Sequence, residues 1–225
     1  IEHMLEISGK SEAEVFQDLR DAGLGSCPGG GAEVLVDRVH KAVFRDKMGP
    51  DRWLAAARKV QNAGFKMNAT MLYGHIERVS ERVEHLVKLR DLQDECGNFM
   101  AFIPLAFWPY HTDLEHYGHV TTGHMDLRTI AVSRLMLDNF DHIKAYWIML
   151  TRNSAQTALA FGANDIDGTV IEEKITHDAG TTEPEELQVE DLHHLIEEGG
   201  FIPVRRTTTY EDIEVFDQPA VASAT

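Results

Sequence analysis

The stretch NATMLYGHIE, residues 68–77, mixes apolar and polar side chains at the point where a strand is expected to end. Because side chains alternate between the two faces of a strand, Asn68, Thr70 and Leu72 share one face. Small polar side chains on an inward face leave room for a ligand and supply hydrogen bonds to it. We therefore predict that Asn68 and Thr70 bind a ligand.

The turn that follows this strand contains a second group of candidates. Gly74 opens the turn, and His75 and Glu77 come directly after it. Active sites of (β/α) barrels lie at this end of the strands, which makes His75 a candidate catalytic residue. The alternative is a structural histidine that only hydrogen-bonds within its own turn.

The run GGGAEVL, residues 29–35, predicts a close approach between the backbone and a ligand. Gly29, Gly30 and Gly31 allow that approach because they have no side chain. Glu33 could then accept hydrogen bonds from both hydroxyls of a ribose, as the acidic residue of dinucleotide-binding folds does. The alternative is a glycine turn followed by a strand glutamate that pairs with a neighbouring arginine.

The segment GANDIDGT, residues 162–169, supplies a dense set of hydrogen-bond acceptors between two glycines. Its candidates are Asn164 and Asp167 for substrate binding and Asp165 for catalysis. An Asx turn would explain the same residues without a ligand.

Donors are scarce in this chain, which has a formal net charge of −16. An anionic ligand would therefore need a localised Arg or His to hold it against the repulsive field. His177 and the run of residues 205–210, with Arg205 and Arg206, offer such donors, and surface arginines are the alternative. The histidines of residues 111–124 lack an HExxH or CxxC pattern, so we expect no metal site there.

The overall composition excludes several classes of protein. The acidic balance argues against binding to nucleic acid or to an anionic membrane, both of which require Lys and Arg. No apolar run reaches the ~20 residues of a membrane span, and a cytoplasmic location is expected. Cys27 and Cys96 lie too far apart for a zinc framework. Because the chain opens on Ile1 within apparently helical sequence, we expect it to be part of a longer polypeptide.

Two alternating periodicities predict the elements that position these candidates. Apolar positions at helical spacing predict helices at residues 11–23, 51–65, 79–97, 125–139 and 154–162, with two further helical stretches after residue 171. Strands are predicted at residues 29–36, 67–74, 98–107 and 143–150, with strand-like composition at 201–216.

This alternation predicts an α/β fold with a parallel sheet, and specifically a partial (β/α) barrel with about five strands. No GxGxxG follows a strand, which weakens a dinucleotide-binding alternative. A closed barrel has eight strands and typically about 250 residues, so part of the barrel would be missing. Residues 1–225 are predicted to form one domain, with a flexible tail at 213–225.

Six segments in order carry a family resemblance: GGGAEVL, NATMLYGHIE, FIPLAF, AVSRLMLDN, IKAYWIML and GANDIDGTVIEEKI. With them the chain resembles the radical S-adenosylmethionine enzymes of the futalosine route to menaquinone, most closely the aminofutalosine synthases. The resemblance implies a (β/α) barrel with a 4Fe-4S cluster on a CxxxCxxC loop. It also implies a transferase that adds a 5'-deoxyadenosyl radical to 3-[(1-carboxyvinyl)oxy]benzoate.

The resemblance also implies roles for individual residues. Glu33 would contact the ribose or methionine of S-adenosylmethionine, and the stretch from Thr70 to Glu77 would line its adenine. Thr70 stands where the related GxIxGxxE element has its first glycine. The candidates for binding the two carboxylates of the substrate are His177, Arg134 and Arg205, and His177 is also a candidate catalytic residue.

The sequence departs from this family in one important respect, because it contains no CxxxCxxC. Cys27 and Cys96 cannot replace three clustered thiolates. The resemblance therefore implies a C-terminal part that is inactive alone and has two partners, the small-molecule substrate and the missing N-terminal part of the barrel. Dehypoxanthine futalosine cyclases and deazaflavin-cofactor synthase subunits are alternatives, and so is a non-catalytic partial barrel that pairs with a separate half.

Overall fold

The computed structural model describes residues 1–117, 119–170, 178 and 186–216. They form an α/β fold around a four-stranded sheet whose neighbouring strands are all parallel. Its strands, in both spatial and chain order, are β1 (Ser26–Cys27), β2 (Lys66–Tyr73), β3 (Phe99–Ala106) and β4 (His142–Ile143). The predicted α/β fold with a parallel sheet is therefore confirmed.

Helices connect the strands. They are α1 (Glu2–Ser8), α2 (Glu12–Asp21), α3 (Asp37–Val43), α4 (Pro50–Asn62), α5 (Val79–Cys96), α6 (Gly123–Met136), α7 (Trp147–Leu150), α8 (Arg152–Leu159) and α9 (Val189–Glu198). The five numbered helix predictions correspond to α2, α4, α5, α6 and α8. Within the described residues, none of these helices has both the length and the apolar character that a membrane span requires.

The core lies between the sheet and the helices. On β2, the side chains of Ala69, Met71 and Tyr73 are fully buried on the helix-facing side. The opposite face is more open, and Leu72 there pairs across the sheet with Leu105, both only half-buried. The predicted alternation of β2 is thus confirmed at Asn68 and Leu72, which are half-buried, whereas Thr70 on the same face is buried.

The parallel arrangement continues beyond β4. Lys144 forms a parallel bridge with Asp165, and the backbone N–H of Ala145 donates to the carbonyl of Asp165 at 2.7 Å. Five chain segments therefore lie side by side in sequence order. This order is compatible with a partial (β/α) barrel, since a doubly wound sheet reverses its strand order at a switch point.

Two strand predictions were wrong. Residues 29–36 form a loop after the short strand β1, because Gly29, Gly31 and Glu33 all have positive φ and interrupt an extended backbone. In residues 143–150, strand β4 ends at Ile143 and the buried segment Trp147–Leu150 is a helical turn. Short apolar runs do not distinguish a buried strand from a buried helix.

The C-terminal segment forms an antiparallel hairpin of β5 (Val204–Arg206) and β6 (Asp212–Val215). Thr209 in its loop lies beside Gly25, just before β1, and its carbonyl accepts a hydrogen bond from Lys66 at the start of β2. The hairpin therefore covers the N-terminal edge of the sheet. β6 extends into the predicted tail, and residues 217–225 lie outside the described part.

Candidate functional site

The turn after β2 brings three of the predicted residues together at the C-terminal edge of the sheet. Gly74 has a φ of 97°, and a Cβ atom there would overlap the side chain of Thr121. The Glu77 carboxylate accepts hydrogen bonds from the backbone N–H of Gly74 at 2.7 Å and of His75 at 2.9 Å. The turn is thus closed by its own carboxylate.

Glu77 is held in turn by a residue that the sequence did not single out. The Arg82 guanidinium contacts Oε1 of Glu77 at 2.6 Å, and the Glu77 side chain is fully buried. Arg82 also lies over the ring of Tyr73, whose hydroxyl donates to Asp126 at 2.7 Å. These contacts give the turn a rigid base.

His75 lies inside this turn. Its Nε2 donates to the carbonyl of Leu72 at 2.9 Å, and its ring contacts Phe44 and Phe107 edge to face. Burial lowers the pKa of His75, although the carboxylate of Glu77 opposes this shift. Only 1% of the side chain is exposed, so these contacts are those of a histidine bonded within its own turn, and a catalytic role stays a prediction.

The loop at residues 28–36 follows the edge of β2 very closely. Gly29 has a φ of 69°, and a Cβ atom there would overlap the carbonyl oxygen of Asn68. The Thr70 hydroxyl donates to the carbonyl of Gly29 at 3.5 Å. A Cβ atom added at Gly30 or Gly31 would meet no other described atom within 4 Å, so the close approach is specific to Gly29.

Glu33 lies at the same edge as His75. Its carbonyl accepts from the N–H of Leu72 at 2.9 Å, and its carboxylate also opposes the lowering of the His75 pKa by burial. The Glu33 side chain is 10% exposed and pairs with Lys47, not with the arginine of the alternative interpretation. Because Lys47 is half-exposed, ligand hydroxyls could displace it.

Asn68 provides an unfilled hydrogen-bonding position on the accessible face of β2. Its Oδ1 is buried and has no hydrogen-bond partner among the described residues. Leaving such an acceptor unpaired is costly, which is typical of a position that a ligand completes. Asn68 and Gly29 lie near the start of β2 and Glu33 lies beside Leu72 near its end, so a ligand that used both the amide acceptor and the carboxylate would extend along the strand.

A second polar cluster lies on the last parallel segment. The Asp165 carboxylate accepts from Arg206 at 2.5 Å, and Asp167 accepts from Lys144 at 2.8 Å. Burial alone would raise the pKa of Asp165, but the charges of Lys144 and Arg206 outweigh it and leave the pKa below its ordinary value. Tyr210 stacks on Arg206 with 4.0 Å between the guanidinium carbon and the ring centre.

The other candidates have different surroundings. Arg134 donates to the carbonyls of Gly162 and Phe140 and to Oδ1 of Asn164, so its guanidinium ties α6 to the last parallel segment. Asn164 also accepts from the N–H of Ile143 at 3.0 Å. Arg205 is exposed on the hairpin at the opposite edge of the sheet, and His177 lies outside the described residues. The structure does not bring Arg205 to Glu33.

A family model described as the CofH/MqnC C-terminal region matches residues 96–218. This span is more than half of the chain. The chain belongs to the CofH/MqnC family. The predicted resemblance is therefore confirmed, and the matched span includes β3, β4 and the C-terminal hairpin of this CofH/MqnC member.

Curated relatives of this CofH/MqnC chain extend the match. An aminodeoxyfutalosine synthase of Thermus thermophilus is 46% identical over 97% of this chain and 59% of its own length. A Streptomyces coelicolor protein of that name is 42% identical, with the same coverage. A 5-amino-6-(D-ribitylamino)uracil--L-tyrosine 4-hydroxyphenyl transferase of Methanospirillum hungatei is 40% identical over 92% of this chain and 57% of its own. The chain thus spans less than two thirds of these relatives.

The residues of this chain fit S-adenosylmethionine but do not fit a 4Fe-4S cluster. Cys27 and Cys96 are both free thiols on separate elements, and they cannot supply three ligands to a 4Fe-4S cluster. For S-adenosylmethionine, the unpaired Oδ1 of Asn68 and the carboxylate of Glu33 are acceptors of the kind to which the hydroxyls and the amino group of an adenosyl group can donate.

Proposed function

We propose that this chain is the C-terminal part of an aminofutalosine synthase, a radical S-adenosylmethionine enzyme of menaquinone biosynthesis. Its parallel sheet would be part of a (β/α) barrel completed by an N-terminal part that bears the 4Fe-4S cluster. The substrate would be 3-[(1-carboxyvinyl)oxy]benzoate. The identity of 46% to the Thermus thermophilus relative over nearly the whole chain is the observation that carries this proposal.

The edge formed by the loop at residues 28–36 and the turn after β2 supports the assignment of the cofactor site. S-adenosylmethionine, when bound, supplies the adenosyl group that is transferred. Asn68 would accept a hydrogen bond from it, and Glu33 would exchange Lys47 for ribose hydroxyls. Glu77 would hold the turn beneath it through the N–H groups of Gly74 and His75.

Substrate binding is assigned to the polar residues around the last parallel segment. Arg134 and Asn164 bond to each other, and Asp165 and Asp167 are paired with Arg206 and Lys144. We therefore propose Lys144, which bonds to the partly exposed Asp167, as a cation within reach of a substrate carboxylate. Its side chain is only 8% exposed, so the pair would act from within the barrel.

The test uses the full-length product of the gene, with its cluster rebuilt from iron and sulfide. The protein is incubated with S-adenosylmethionine, dithionite and one of three substrates or substrate pairs. These are the enolpyruvyl benzoate, dehypoxanthine futalosine, and L-tyrosine with 5-amino-6-(D-ribitylamino)uracil. We expect aminofutalosine from the first and no product from the others, measured by mass spectrometry.

Product from only the second or third reaction would replace this proposal with the cyclase or the 4-hydroxyphenyl transferase function. If the protein carries a fully loaded cluster but gives no product with any of the three substrates or substrate pairs, the enzymatic assignment is overturned and a non-catalytic barrel half is favoured.

A further inference from the structure

Helix α5 has a polar stripe that the proposed function does not use. Glu81, His85 and Lys88 are spaced at i, i+4 and i+7, which places them on one face of the helix. Glu81 and His85 are buried, although charged and polar residues are usually exposed unless they have partners. The stripe therefore requires partners, and apart from Glu84, which accepts from Lys88, they lie in residues 35–38 and at the start of α5.

Leu35 is held at both of its backbone polar groups by this stripe. Its N–H donates to Nδ1 of His85 at 3.0 Å, and its carbonyl accepts from Nζ of Lys88 at 2.7 Å. The Leu35 side chain is fully buried as well. Leu35 lies two residues after Glu33, so the end of the Glu33 loop is fixed to α5 by a pair of hydrogen bonds.

The protonation state of His85 suits this role. The side chain is fully buried, which lowers its pKa to about 3, and the nearby Lys88 and His40 contribute to the lowering. His85 is therefore neutral at physiological pH. Because Nδ1 accepts the hydrogen bond, the ring proton is on Nε2.

Glu81 provides a second connection at the other end of the stripe. Its carboxylate accepts two hydrogen bonds from Arg38, at 2.6 and 2.7 Å, and one from the N–H of Arg78 at 2.6 Å. Arg38 also donates to the carbonyl of Ile76 at 2.9 Å. The first turn of α3 and the turn that contains Glu77 are thus tied to the same helix end.

From this geometry we infer that His85 and Lys88 are positioning residues for Glu33, and that α5 sets the distance between the Glu33 loop and the turn after β2. The inference rests on the proposed function, in which Glu33 binds the ribose of S-adenosylmethionine. Without the acceptor at residue 85, the N–H of Leu35 would be buried and unpaired, and the loop would shift to reach water.

The test compares two substitutions of His85 in the full-length gene product. His85→Leu keeps an apolar volume but removes the acceptor, whereas Asn in His85→Asn offers a side-chain oxygen near the position of Nδ1. Ile148→Val, in the buried helix α7, is the control for a general loss of core packing.

Amide hydrogen exchange at Leu35 is measured first, without ligand, and the affinity for S-adenosylmethionine second. We expect His85→Leu to speed exchange at Leu35 by about tenfold and to weaken binding, with a larger effect on KM than on kcat. His85→Asn should restore slow exchange and most of the affinity, and Ile148→Val should change neither.

Exchange at Leu35 that is the same in His85→Leu and Ile148→Val would overturn the positioning role. So would faster exchange with unchanged affinity, because Glu33 would then not depend on the bonds from α5. A wild-type protein that binds no S-adenosylmethionine would instead overturn the proposed function, and the exchange measurement would still decide whether α5 fixes the loop.

Discussion

Gly29→Ala is expected to weaken the binding of S-adenosylmethionine by about 100-fold or more. The backbone at Gly29 has a φ of 69°, which costs any other residue about 1–3 kcal/mol. The new Cβ atom would also overlap the carbonyl oxygen of Asn68, a backbone atom in the middle of the sheet that cannot move aside. The loop must therefore leave β2 and take Glu33 with it.

Gly30→Ala is the matched control for this substitution. Gly30 is the next residue, has no positive φ, and has open space where a Cβ atom would stand. Titration calorimetry should give a loss of about 100-fold or more for Gly29→Ala, as expected for a displaced binding group, and little change for Gly30→Ala. Equal affinities for the two variants would show that the close approach at Gly29 does not position the site.

Glu77→Ala is expected to destabilise the protein by about 3–5 kcal/mol, because it leaves the partly buried Arg82 without its carboxylate. The backbone N–H groups of Gly74 and His75 would lose their acceptor as well. Unfolding in urea, followed by circular dichroism, measures the effect.

The pair of Arg58 and Glu95 provides the control, since it has a similar contact of 2.6 Å in an exposed position. Glu95→Ala should change stability little, because water screens such pairs. If Glu77→Ala proved no more destabilising than Glu95→Ala, the carboxylate would not be what closes the turn after β2.

Sequence reasoning located the parts of this site that depend on local patterns. The alternation of residues 67–73 indicated the accessible face of β2, because period-2 burial is a property of any strand packed on one side. The glycine run predicted a close approach to a ligand, which stays a prediction; the close contact that the structure shows is between Gly29 and β2. The end of the apolar pattern, together with Gly74, predicted the turn after β2.

Partners distant in the chain could not be predicted in this way. Lys47, Arg82 and His85 reach the site only because the fold places them there, and neither period nor composition shows which loop a helix contacts. Arg205 was the predicted binding residue, but it is exposed, and its neighbour Arg206 bonds to Asp165. Which of two neighbouring residues in a hairpin strand faces the sheet depends on the register of that strand with its partner. A single sequence does not reveal this register.

The most direct test of the proposed adenosyl site is a hydrogen-exchange footprint of S-adenosylmethionine on the full-length gene product. We predict slower exchange in peptides that cover residues 29–36 and 68–77 when the ligand is saturating. Peptides that cover the hairpin at residues 204–216 should be unchanged. Protection confined to the hairpin edge, or saturating ligand with no protection in either loop, would contradict the placement of the adenosyl site at the C-terminal edge of the sheet.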